Sequence, residues 1–102
     1  MKTAQQSAKA FLSQLKLAGI PVTGAYIFGS YAKGTATKDS DIDICLLSPT
    51  FGKDPIAEMV RLRMIAFPID PRIEPIPFHT DEWNDSYSPL LAEIRKFGKN
   101  IV

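Results

Sequence analysis

Residues 29–43 hold a Gly29-Ser30 turn and, after ten further residues, the pair Asp41 and Asp43. An apolar run, Ala25 to Phe28, leads into the turn, and a second, Ile44 to Leu47, follows the acids. Two apart on a strand, Asp41 and Asp43 share one face while Ile42, Ile44 and Leu46 take the other. Neighbouring carboxylates repel each other unless a cation lies between them. Oxygen donors with few other protein contacts suit Mg²⁺, which keeps waters and phosphate oxygens in its shell. Gly29 lets backbone approach a phosphate, Ser30 adds a hydroxyl, and the N–H groups opening the next turn point at an anion. Together these parts fit metal-assisted chemistry on a nucleoside triphosphate. Alone, an Asp-x-Asp reads as a solvated strand start and a Gly-Ser as a simple turn; their combination and spacing carry the inference.

The elements that must position these residues follow from periodicity. Residues 3–18 predict an amphipathic helix, with Ala4, Ala8, Phe11, Leu12, Leu15 and Ala18 on one side, Thr3 as N-cap, and Gly19 and Pro21 as the stop. Strands are expected over Val22–Phe28, Asp41–Leu47 and Arg72–Phe78, with a helical turn over Ser30–Gly34. Asp54-Pro55 starts a helix running to about Phe67, and Ser88-Pro89 starts a last one that Gly98 stops, leaving Ile101-Val102 as an extended tail. A helical turn is placed at Asp81 to Trp83. The order α-β-α-β-α-β-α implies an α/β (α+β) domain with a small mixed sheet of about three to four strands flanked by helices. Pro75 and Pro77 lack N–H groups on the same side of the third strand, so that strand must lie at a sheet edge, its other side facing the second strand. Glu74 then comes beside Asp41 and Asp43, to complete a metal site and take a proton from an attacking hydroxyl.

Other residues are read more plainly. Lys33 and Lys38 flank the turn and acids and could neutralise a triphosphate, or simply solvate the surface. His79 reads as a solvated loop residue, and Cys45, in an apolar strand, as core. Thr35 stands where a Walker loop needs lysine, and Ile44 where an EF-hand needs glycine, so neither motif applies.

The motif Gly29-Ser30, ten residues, Asp41-x-Asp43, with its flanks Phe28-Gly-Ser-Tyr-Ala-Lys-Gly-Thr and Lys38-Asp-Ser-Asp-Ile-Asp, resembles that of DNA polymerase β-like nucleotidyltransferases. The element order and short chain resemble the minimal nucleotidyltransferase (MNT) domains, over nearly the whole of residues 1–102. The resemblance implies a nucleotidyltransferase fold in a single domain. It implies that Gly29 and Ser30, with Lys33, hold the triphosphate of ATP, and that Asp41, Asp43 and Glu74 bind two Mg²⁺. Lys33 stands where such proteins often have arginine. MNT proteins of this kind form toxin–antitoxin pairs with helical HEPN-type toxins. The implied activity is therefore transfer of AMP from ATP to a tyrosine hydroxyl of the toxin. Two alternatives stay open: an antitoxin that acts by contact alone, and a small-molecule nucleotidyltransferase working as a homodimer.

Composition bounds the remaining possibilities. The chain has 102 residues, 45% hydrophobic and 23% charged, with a net charge of +1, so no strong field favours direct nucleic-acid binding. A single cysteine suits a reducing cytoplasm. Neither a leader at residues 1–9 nor a membrane span is expected. The helix from Pro55 is apolar around much of its girth. Ile56, Met59, Val60 and Phe67 are expected to face the sheet. Leu62, Ile65 and Ala66, with Arg61 and Arg63, are then left for a partner, as is the edge strand Arg72–Phe78.

Overall fold

A computed structural model describes residues 2–102. Eight elements follow in order: α1 (Ala4–Leu17), β1 (Gly24–Phe28), α2 (Ser30–Lys33), β2 (Ile42–Ser48), α3 (Pro55–Ala66), β3 (Ile73–His79), α4 (Pro89–Phe97) and β4 (Lys99–Asn100), with a 3-10 turn over Thr80–Asn84 before α4. The caps form where the side chains call for them. Thr3 and Gln6 make a reciprocal capping box at α1, Asp54 Oδ1 accepts from the Ala57 N–H at α3, and Ser88 Oγ accepts from the Leu91 N–H at α4. His79 is not merely solvated: its Nδ1 accepts from the Asp81 N–H and caps the 3-10 turn.

The strands form one mixed sheet in the order β3-β2-β1-β4. β1 runs antiparallel to β2 and β4, while β2 runs parallel to β3 through the α3 crossover. β3 lies at the edge, as its two prolines require. The tail pairs slightly earlier than its apolar residues suggest: Lys99 and Asn100 register with Ile27 and Tyr26, and Ile101 donates to the Ala25 carbonyl.

Each face of the sheet has its own core. Ala25, Ile27, Ile42, Ile44, Leu46 and Ile73 pack with Ala8, Phe11 and Leu15 of α1 and Leu62 and Ala66 of α3. Phe28, Cys45 and Leu47 pack with Leu91 and Ile94 of α4, next to a Tyr26–Trp83 stack whose ring centres are 4.4 Å apart.

The orientation of α3 corrects the sequence expectation. Leu62 and Ala66 face the core, whereas Ile56, Val60, Met64 and Phe67 are 52–80% exposed. A helix with apolar residues on several sides offers more than one stripe for burial. Leu62 and Ala66, four apart, form the stripe that joins the core shared with Ile73 and Leu46, and Met59 and Ile65 flank it half-buried.

Candidate active site

The sheet register assembles the acids and the turn. On β2, Asp43 lies opposite Phe28, the last residue of β1, and beside Glu74 of β3. By strand alternation Asp43 shares the α4 side of the sheet with Cys45 and Leu47, and Asp41, just before β2, belongs to that side too. Asp41 is exposed and Asp43 half-buried.

The turn abuts the strand. Gly29 has φ +70°, a left-handed conformation that favours glycine, and a Cβ there would overlap Asp43 Oδ2. Gly29 thus permits both the backbone direction and the seat of the aspartate. It also begins α2, whose first N–H groups receive no side-chain cap. Ser30 is the first residue of that short helix and is half-buried.

The electrostatics separate the acids. Burial, followed by the charges of Asp41 and Glu74, raises the Asp43 carboxyl above its ordinary value. Among the described residues neither Asp41 nor Asp43 takes part in an ion pair. The Glu74 carboxylate does: it accepts from Arg63 Nη2 of α3 at 2.7 Å. Lys33 is paired as well, with Glu93 of α4, and lies near the Phe97 ring. Asp41, Asp43, Glu74, Gly29 and Ser30 therefore converge by register and turn, but Glu74 and Lys33 each hold a partner of their own. Among the described residues no three His, Cys, Asp or Glu side chains gather as a ready metal cage. The uncompensated pair Asp41 and Asp43 fits a hard divalent cation, while Glu74 Oε2 is engaged by Arg63.

Sequence reasoning missed the residues that engage the site from a distance. Arg63 is eleven positions from Glu74, and Glu93 sixty from Lys33; no local pattern announces such pairs. The pairing of Asp70 with Arg72 was also missed, although an acid and an arginine two apart at the start of the predicted strand Arg72–Phe78 are a readable signal. Their carboxylate–guanidinium pair is at 2.7 Å and nearly buried.

Residues 6–100 match the nucleotidyltransferase domain family. No curated protein matches the chain. Among solved structures, a toxin–antitoxin crystallised with AMP-PNP is 26% identical, with a TM-score of 0.67 over 94% of this chain and 72% of that one. A mutant toxin–antitoxin, MntA–HpeT, is 22% identical, with a TM-score of 0.65 over 94% of this chain and 71% of that one. A protein from Sulfolobus solfataricus assigned as a nucleotidyltransferase is 18% identical, with a TM-score of 0.64 over 95% and 78%. The latter two speak for the fold alone.

Proposed function

The chain belongs to the nucleotidyltransferase domain family, and from that premise we propose that it is an antitoxin that adenylylates its toxin. In this reading residues 1–102 form one catalytic domain, working in the cytoplasm on ATP with two Mg²⁺. The acceptor is a tyrosine hydroxyl of a helical, HEPN-type toxin. The observation that carries the reading is the seat of Gly29 directly against Asp43, which joins the Gly29-Ser30 turn to the acids. The likeness to a toxin–antitoxin crystallised with AMP-PNP supports both nucleotide and partner.

The division of labour follows from the side chains. The backbone at Gly29 and the Ser30 hydroxyl hold the triphosphate. Asp41 and Asp43 would supply carboxylate oxygens to the metal, and Glu74, held by Arg63 through Oε2, would add an oxygen of its own. When bound, the metal ions neutralise phosphate charge and stabilise the attacking and leaving oxygens. The tyrosine oxygen bonds to the α-phosphorus as the bond to the β-phosphate oxygen breaks, and pyrophosphate departs. The phenolic proton passes to Glu74. Lys33 screens the phosphates if it exchanges Glu93 for them.

A second reading is favoured by one observation. With Glu74 on Arg63 and Lys33 on Glu93, the site rests with two of its charged groups already engaged, as suits an antitoxin acting by contact alone. Mass spectrometry of the toxin after co-expression separates the two. Adenylylation predicts a gain of one AMP on a toxin tyrosine, lost with Asp43→Asn. Neutralisation of the toxin with no mass gain would establish the contact mechanism instead.

A further inference from the structure

The ten residues between Ser30 and Asp41 must hold a fixed path if the turn and the acids are to meet one substrate. The first four form or close α2; the rest, 35–40, form no regular element. Arg72, the residue before β3, ties this path at several points. Its Nη1 donates to Tyr31 Oη at 3.1 Å and to the Lys38 carbonyl at 3.2 Å. Tyr31 Oη in turn donates to the Thr37 carbonyl at 3.2 Å. The Arg72 carbonyl accepts from the Ile42 N–H at 2.7 Å, so its side chain and main chain bracket the segment 38–42 that contains Asp41.

The anchor is itself held firmly. Arg72 Nε and Nη2 fork onto Asp70, Ser7 Oγ donates to the same carboxylate at 2.7 Å, and Nη2 also donates to the Lys2 carbonyl. The Arg72 side chain is 15% exposed and that of Asp70 8%. A planar fork can serve several acceptors at once; an ammonium in the same place serves fewer and lies differently.

We propose that Arg72 is a positioning residue for the nucleotide site: through Tyr31 and Lys38 it sets the separation between the Gly29-Ser30 turn and Asp41. The role rests on the adenylylation reading, because it is the triphosphate that must span the two. Arg72 also secures the fold through Asp70, and two variants separate these contributions. Tyr31→Phe removes the hydroxyl link and leaves the Arg72–Asp70 pair in place. Arg72→Lys keeps a cation beside Asp70 and loses the fork.

The experiment measures amide exchange at residues 35–41 without nucleotide, and Mg–ATP affinity by calorimetry, on wild type and on both variants shown to be folded by circular dichroism. Exchange at 35–41 should quicken in both, and affinity should weaken about 3- to 10-fold, the net worth of roughly one hydrogen bond. The proposal is overturned if exchange there stays at the wild-type rate, or if it quickens with affinity unchanged. A wild-type chain that binds no Mg–ATP would instead bring down the adenylylation reading and the positioning role with it. That result appears in the wild type itself, before any variant is compared.

Discussion

At the scale of single residues, Asp43 is where stability and the proposed chemistry pull apart. Its folded carboxyl binds a proton more tightly than an unfolded one, because of burial first and then the nearby Asp41 and Glu74 charges. The ionised form therefore costs stability, a cost that grows as pH rises from the ordinary carboxylate value through the folded one and stays in full above it. In chelator at neutral pH, Asp43→Asn should melt higher than wild type. Solvent screens this half-exposed group, so the gain should be small, about 0.5 kcal/mol or ~2–4 °C. The same variant should lose nucleotidyl transfer. A melting temperature at or below that of wild type would remove the repulsion argument. The motif residues were legible because their information is local: a glycine, a hydroxyl and two acids at fixed spacing. The partners of Glu74 and Lys33 were not, because each comes from a helix whose placement depends on the finished packing. Cys45 is legible as core, and burial pushes its thiol up to about 12, leaving little thiolate at neutral pH.

Among the elements, β3 and α3 show what a pattern can and cannot decide. Pro75 and Pro77 exclude one side of β3 from pairing, and exclusion is unambiguous: the strand is at the edge and Glu74 beside Asp43. In α3 apolar residues occupy competing stripes, and periodicity alone does not choose between them. Leu62, 1% exposed, fills the space under the sheet, while Met64 is 72% exposed. Leu62→Ala should cost about 2–5 kcal/mol in urea unfolding, and Met64→Ala should stay within about 0.5 kcal/mol of wild type. Similar costs for both would mean that the helix presents a different side to the sheet.

Across the whole molecule, the Asp70–Arg72 pair joins pieces distant in sequence: Ser7 of α1, the loop after α2 and the approach to β3. Such a junction cannot be read from local pattern, since Ser7 and Asp70 are 63 residues apart. The Arg72 hydrogen bond, aided by Ser7, holds the Asp70 carboxyl well below the usual carboxylate range. A depressed value contributes stability that is complete above the ordinary carboxylate pKa of about 3.9 and is lost as pH falls below it toward the folded value. The urea midpoint of the wild type should drop steeply below about pH 4. Asp70→Asn should start lower at pH 7 and show a shallower acid limb. Equal acid slopes in the two proteins would assign the acid sensitivity to other groups.

The antiparallel pairing of β1 with β2 has a kinetic consequence. Its connection is the very segment that carries Gly29, Ser30 and Asp41, so closing this hairpin draws the turn and acids together in one event. By contrast, β3 joins β2 only after α3 has crossed over, and loop closure must precede the reward of distant contacts. Ile27→Val and Ile44→Val should therefore slow folding, with φ-values above that of Ile73→Val in β3. If so, the chain builds its candidate site in the folding transition state, and a mutation that spoils the hairpin disrupts the fold and that site at the same step.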